Sequence, residues 1–145
     1  MSDSQADARA VVLAVDPGRD KCGLAVVVGE RVALRALCPT AEVGLTCRYL
    51  LTRYPQAALV VGHGTGAEAV CQHLRQACPQ AQIASIEERD STLQARQLYW
   101  SDHPPRGLLR LLPEGMRIPP RPVDDYAAVV LARRYLQRPG ALSGP

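Results

Sequence analysis

Acidic residues stand at three points of this sequence where a strand ends or a helix begins. Asp16 closes an apolar run, Glu88 follows a second one, and Asp124 and Asp125 open a helical pattern. Three carboxylates that converge at one edge of a sheet repel one another unless a cation lies between them. Oxygen ligands favour Mg²⁺ and Mn²⁺. Two such ions about 4 Å apart can activate water and stabilise a leaving oxygen in phosphodiester hydrolysis.

The same acids also have simpler structural interpretations. Asp16 precedes Pro-Gly, and an Asp in that position is commonly a turn former. An Asp at the start of a helix commonly caps it and suits its dipole. Glu88 lies beside Glu87, and the two are compatible with a solvated pair. Spacing alone therefore leaves a metal site and a set of turn, cap and surface residues both open.

Basic residues accompany these acids. Arg19 and Lys21 lie in the turn after Asp16, and Arg89 follows Glu88. A proline-rich stretch before the last helical pattern carries four more, namely Arg106, Arg110, Arg117 and Arg121. Basic groups beside carboxylates suit contacts with phosphate, and a row of arginines can follow a nucleic-acid backbone. The alternative is solvated loop charge, and a formal net charge of +3 permits a nucleic-acid partner without requiring one.

Length and composition limit the class of protein. A chain of 145 residues is expected to form one domain, and no apolar run reaches the length of about 18 residues that a membrane span needs. Residues 1–9 are polar and acidic, unlike a signal peptide, which favours a cytoplasmic location. The five cysteines are odd in number and contain no Cys-x-x-Cys pair, so we expect buried, reduced thiols rather than a zinc knuckle or a disulfide framework.

The elements that must position the acids follow from hydrophobic periodicity. Three β-branched runs joined by short connections predict an antiparallel meander, with strands over residues 10–15, 23–28 and 31–37. Helical and strand patterns then alternate, over residues 42–54, 57–61, 67–77, 82–86 and 91–100. Residues 102–121, which contain five prolines, are expected to be mostly irregular and exposed, and 123–136 form a last helix. The prediction is an α/β domain over residues 10–138 with a mixed sheet, helices on its faces and flexible ends at 1–9 and 139–145.

Helix geometry gives a modest contrast between the two adjacent aspartates, because the helical steps from Asp125 also reach an apolar face. Helical steps from Asp124 reach a mostly apolar face that contains Ala127, Ala128 and Leu131. The two small alanines would let the start of the helix approach the sheet closely. We therefore favour Asp124 as the metal ligand and Asp125 as a supporting acid of the same site. Both can cap the helix, so each is expected to contribute a similar amount to stability.

Four segments resemble the RuvC and YqgF families, in the right order along the chain. Residues 11–18, followed by Gly23 and an apolar strand, resemble the opening strand and Asp-x-Gly turn of both families. Three further segments resemble YqgF: its central strand and glycine-rich loop, its Asp-Glu-Arg-Leu-Thr-Thr segment and its closing helix, matched by residues 60–68, 86–95 and 123–131. The resemblance implies a ribonuclease-H-like fold with a five-stranded mixed sheet whose first three strands are antiparallel. It also implies a divalent-metal nuclease site, and the family's acids fall on Asp16, Glu88 and Asp124.

This resemblance implies a nuclease that uses Mg²⁺ or Mn²⁺, with a two-metal site. We expect a monomer or homodimer, and no membrane partner because the chain has no long apolar run. YqgF-type processing of ribosomal RNA precursors makes RNA the favoured substrate. The alternative substrate is a Holliday junction or other branched DNA, as for RuvC. A different alternative is that the chain is a catalytically weak nucleic-acid-binding module of the same fold. Departures from the family pattern, which bear on substrate choice, occur at His63, Glu87, Asp90 and Asp125.

Overall fold

The computed structural model describes residues 10–87, 91–113 and 116–138. Both ends predicted to be flexible, 1–9 and 139–145, lie outside these residues. Glu88 and Arg89, two of the predicted site residues, also lie outside them.

The sheet has the five strands and the mixed topology that the sequence predicts. Its strands are β1 (Val11–Asp16), β2 (Lys21–Val28), β3 (Arg31–Pro39), β4 (Ala58–Gly62) and β5 (Ile83–Ile86). They lie in the order β3-β2-β1-β4-β5. Strand β2 is antiparallel to both β1 and β3, whereas β4 is parallel to β1 and β5 is parallel to β4. The prediction of a five-stranded α/β sheet of the ribonuclease-H-like type, with an antiparallel first half, is confirmed.

In the part of the chain that the structure describes, four α-helices accompany the sheet, close to the predicted ranges. They are α1 (Val43–Arg53), α2 (Ala67–Ala77), α3 (Ser91–Asp102) and α4 (Asp124–Gln137). The proline-rich stretch, predicted to be mostly irregular, contains a short 3-10 helix over Gly107–Leu111. Among the described residues, no helix has the length and apolar character needed to cross a membrane.

The side chains of β1, the central strand, contribute alternately to two layers of the core. Val11, Leu13 and Val15 pack with residues of α1 and α2, while Val12 and Ala14 pack with residues of α4. Side chains of a strand point alternately to opposite faces of the sheet. Asp16 follows Val12 and Ala14 in this alternation, so it belongs to the face of the sheet that α4 covers.

Small residues bring α4 close to this face. Ala14 and Ala25 on the sheet and Ala128 on the helix are all fully buried. The predicted close approach of the alanine-bearing helix is therefore confirmed. Helix α3 packs in turn on α4, and its Tyr99 and Trp100 are buried against the first turns of α4. The last helix is thus held between the sheet and α3, which fixes the position of its N-terminus.

The cysteines are free thiols, as predicted. Cys22, Cys38, Cys47 and Cys78 are buried, and Cys71 is partly exposed. Burial, with a smaller effect of the neighbouring Cys22, raises the pKa of the Cys38 thiol to about 11. These side chains therefore act as small apolar core residues at neutral pH.

Candidate metal and nucleic-acid site

A glycine brings the first strand and the last helix together. Asp16 ends β1 and pairs with Gly23 of β2. A Cβ atom at Gly23 would lie 1.9 Å from the Asp124 carbonyl oxygen, so only a residue without a side chain fits there. Paired Cα atoms of antiparallel strands are about 4.5–5.5 Å apart. The first turn of α4 therefore rests on the sheet directly beside Asp16, and the two predicted acids Asp16 and Asp124 are neighbours.

The turn after Asp16 is held by close backbone contacts. A Cβ atom at Gly18 would lie 2.2 Å from the Lys21 carbonyl oxygen. The buried Thr40 hydroxyl donates a hydrogen bond of 2.8 Å to the Gly18 carbonyl oxygen. Gly66, which lies just before α2 and has φ of 88°, packs closely against the same carbonyl oxygen, because a Cβ atom at Gly66 would lie 3.0 Å from it. This turn presents Arg19 and Lys21, both exposed, at the edge of the sheet where Asp16 lies.

The end of β5 lies at the same edge. Strands β1, β4 and β5 are parallel, so their carboxyl ends share one edge of the sheet. The His63 backbone N–H, just after β4, donates a 2.9 Å hydrogen bond to the Ile86 carbonyl oxygen. Glu87 follows Ile86, and Glu88, the third predicted ligand, comes next but lies outside the described residues. In the part of the chain that the structure describes, no three His, Cys, Asp or Glu side chains form a group suited to a metal ion.

Asp124 lies where negative charge is costly. Its side chain is partly buried, and burial raises the pKa of the carboxyl above its ordinary value. The neighbouring Asp125 raises this pKa further, while Lys21 lowers it. A cation beside Asp124 would relieve both unfavourable effects. The oxygen-only donor set of Asp16 and Asp124 suits a hard divalent cation.

Asp125 occupies a different environment from Asp124. It is 5% exposed, and its carboxylate accepts hydrogen bonds from Arg35 Nε at 2.9 Å and from Arg121 at 3.2 and 3.4 Å. The predicted capping role is wrong for both aspartates, because Val123 is the N-cap residue and no side chain caps α4 by a hydrogen bond. Asp125 instead ties α4 to β3 and to the segment that precedes the helix.

Arg35 extends these contacts to α3. Its guanidinium lies 4.0 Å from the centre of the Tyr126 ring and 3.5 Å from Asp102. The Tyr126 hydroxyl donates a 2.9 Å hydrogen bond to the same Asp102 carboxylate. The sequence prediction missed Arg35, although it is the one charged residue within the apolar run 32–38. We call the group formed by Arg35, Asp125 and Arg121 the α4 clamp.

The predicted nucleic-acid contacts fall into two groups. Arg19, Lys21, Arg106 and Arg110 are exposed. Arg117 and Arg121 already have partners within the protein: Arg117 donates to the carbonyl oxygens of Leu109 and Arg110, and Arg121 donates to Asp125. Arg117 thus binds other residues of the proline-rich segment, and Arg121 ties the end of the segment to α4. Contact of these two arginines with nucleic acid stays a prediction.

Comparison with known proteins identifies a structural relative. No family model matches the chain, and no curated protein matches its sequence significantly. The structure of RuvC from Thermus thermophilus is similar, with a TM-score of 0.58 and 16% identity over 92% of this chain and 96% of that one. T. thermophilus RuvC in complex with its Holliday junction substrate gives a TM-score of 0.58 and 17% identity over 88% of this chain and 92% of that one. Similarity at this identity shows the fold that the two proteins share.

Proposed function

We propose that this chain is a divalent-metal-dependent nuclease that hydrolyses phosphodiester bonds, with Asp16, Glu88 and Asp124 as the cation ligands. The observation that carries this proposal is the contact of Gly23 with the Asp124 backbone, because Gly23 pairs with Asp16 and the contact brings two acidic residues from distant parts of the chain to one edge of the sheet. The RuvC-like fold supports it, since RuvC has been solved with a nucleic-acid substrate.

Each proposed residue then has a distinct role. Asp16 and Asp124 would hold Mg²⁺ or Mn²⁺ through carboxylate oxygens, and Glu88 would complete a site suited to two ions. Such cations would supply the activation of water and the stabilisation of the leaving oxygen. Arg19 and Lys21 bind the substrate phosphates from the turn beside Asp16. Asp125 acts through the α4 clamp, which holds the helix that carries Asp124.

RNA with single-stranded regions is the substrate that we favour. The segments around Glu88 and Asp124 resemble YqgF, and a net charge of +3 with one short arginine-bearing segment suits a single strand. Four-way junction DNA is the second candidate, because the similar RuvC was solved with a Holliday junction. A junction enzyme must place two active sites symmetrically, which requires a homodimer.

Cleavage of labelled substrates tests the proposal. Single-stranded RNA, duplex DNA and a four-way DNA junction are incubated side by side at matched salt, with Mg²⁺, Mn²⁺, Ca²⁺ or a chelator. We expect cleavage of RNA with Mg²⁺ or Mn²⁺, none with Ca²⁺ or chelator, and none by the folded Asp16→Asn variant. Symmetric nicking of the junction without RNA cleavage would favour the DNA alternative. Binding without cleavage of any substrate would favour a nucleic-acid-binding module, and chelator-resistant cleavage would exclude the metal mechanism.

A further inference from the structure

A groove lies between α3 and the proline-rich segment, beside the proposed metal site. It has a volume of about 360 Å³, and its lining includes Thr92, Arg96, Ile118, Pro120, Arg121 and Val123. Val123 directly precedes Asp124, and Thr92 lies in the first turn of α3, shortly after Glu88 in the sequence. One wall of the groove therefore ends at the residue before Asp124, and the other belongs to the helix that follows Glu88 in the sequence.

The two arginines of the groove differ in their partners. Arg121 is bound to Asp125 in the α4 clamp. Arg96 is partly buried and has no hydrogen-bond or ion-pair partner among the residues described. A guanidinium whose N–H groups have no other acceptor can donate two parallel hydrogen bonds to the oxygens of a phosphate group. Arg96 is thus the residue of the groove that is available for an anion.

The opposite wall is apolar. Ile118 is 71% exposed, and it continues into the rings of Pro119, Pro120 and Pro122. Apolar side chains, isoleucine and proline among them, insert between the bases of DNA in minor-groove complexes, so contact between such side chains and a base is favourable. A groove of this volume also falls within the range of about 300–1,000 Å³ that small-ligand sites occupy.

We infer that this groove binds one nucleotide of the substrate strand, adjacent to the phosphate that is cleaved. The base packs on Ile118 and the proline rings, and Arg96 donates hydrogen bonds to the phosphate of that nucleotide. The lining has two arginines and no acidic residue among the residues described, which matches a polyanion. A second copy of this chain would bring the same arginines together and is disfavoured. The inference rests on the proposed nuclease function and assigns a substrate contact to Arg96.

Binding measured without turnover tests the groove separately from the nuclease activity. Fluorescence anisotropy of a short fluorescein-labelled RNA single strand is recorded in Ca²⁺ with Asp16→Asn, and with the same protein carrying Arg96→Ala, Ile118→Ser or Arg53→Ala. Arg53 is exposed on α1, on the other face of the sheet, and its variant removes the same charge. We expect Arg96→Ala to weaken binding about tenfold, Ile118→Ser to weaken it less and Arg53→Ala to leave it almost unchanged.

Cross-linking locates the strand directly. An RNA containing thiouridine is irradiated with the Asp16→Asn protein, and the attached peptides are identified by mass spectrometry. Cross-links within residues 91–96 or 116–123 support the groove. Equal weakening by Arg96→Ala and Arg53→Ala, or cross-links confined to other segments, would overturn the inference even if the wild-type protein cleaves RNA. Strand binding in the groove by a protein that cleaves nothing would retain the groove and reject the nuclease function.

Discussion

The proposed site lies between two segments that are built in opposite ways. The turn from Asp16 to Gly23 is closed by backbone contacts, and a methyl group at Gly18 or Gly23 would overlap a carbonyl oxygen. The proline-rich segment, residues 103–123, leaves Leu108 and Leu111 82% and 79% exposed. Within the described residues, a few side-chain hydrogen bonds to its backbone, such as the one that Trp100 donates to Arg117, hold this segment.

This difference matches two tasks that the proposed nuclease function would require. Groups that bind a cation need fixed positions, which rigid elements and closely packed backbones provide. Groups that touch a flexible substrate are often carried by exposed segments attached to such a scaffold. Asp16 and Asp124 belong to the first kind of structure, and Arg106, Arg110 and Ile118 belong to the second.

Substitution of Gly23 should give the largest effect. In Gly23→Ala the new Cβ atom meets the Asp124 carbonyl oxygen, so α4 must move away from β2. We expect a loss of about 3 kcal/mol in the free energy of unfolding and loss of cleavage comparable with that of Asp16→Asn. Urea unfolding and the RNA cleavage assay measure the two effects.

Gly107→Ala is the matched control in the exposed segment. Gly107 has φ of 61°, so alanine costs about 1 kcal/mol of backbone strain there, but among the described residues no atom beyond its chain neighbours lies within 4 Å of the new Cβ. Cleavage should therefore stay close to wild type. Equal loss of activity in the two glycine variants would show that the contrast between the two segments is unrelated to function.

Substitutions of the two adjacent aspartates should differ in their effects, one lowering mainly the activity and the other mainly the stability. Asp124→Asn removes a proposed ligand and should reduce cleavage at least about a thousandfold, with little loss of stability. Asp125→Asn removes the buried charge that binds Arg35 and Arg121 and should cost about 2 kcal/mol, with a smaller loss of activity. Unfolding curves and initial rates are compared at one pH. A destabilised Asp124→Asn with full activity would reverse the assignment of the two residues.

The raised pKa of Asp124 predicts a pH effect in the metal-free protein. The folded state keeps the proton of this carboxyl to a higher pH than the unfolded chain does, because burial and Asp125 disfavour its charge. The Asp124 contribution to the free energy of unfolding should therefore fall as pH rises from the unfolded pKa through the higher folded pKa, and then level off. Asp124→Asn should lack this contribution. Urea midpoints of both proteins between about pH 3 and 8 measure the difference, and identical pH profiles would contradict the prediction.

The smallest effect is expected in the proline-rich segment. Leu108→Ser alters a side chain that is 82% exposed, so the free energy of unfolding should change by no more than about 0.5 kcal/mol. Leu24→Ala, in the fully buried core of β2, should cost about 2–5 kcal/mol in the same urea assay. A large loss in Leu108→Ser would show that this leucine is covered in solution.

Most of the fold follows from local patterns in the sequence. Apolar runs of β-branched residues locate the strands, and their connection lengths separate the antiparallel half from the parallel half. The differences are small: β2 begins at Lys21 instead of Gly23, and β3 extends to Pro39, because pairing between Lys21 and Pro39 continues the ladder. The sequence also suggests that Asp16 and Asp124 converge, since it predicts that one ends a strand and the other begins a helix.

Contacts between distant segments could not be predicted in this way. Nothing in the local pattern around Asp125 shows that Arg35 would bind it, because the partner depends on how β3 and α4 lie in the folded chain. The groove at Arg96 arises in the same manner, from the packing of α3 against Ile118 and the prolines. Periodicity identifies elements, whereas the partners of a charged side chain depend on tertiary structure.

The contact at Gly23 also has a consequence for synthesis of the protein. A ribosome makes the sheet residues around Asp16 early and makes Asp124 only after all five strands. The emerging chain thus contains Asp16 long before Asp124 can pack on Gly23. Under the proposed mechanism, hydrolysis that needs both carboxylates would begin only after α4 has left the ribosome and packed on β2.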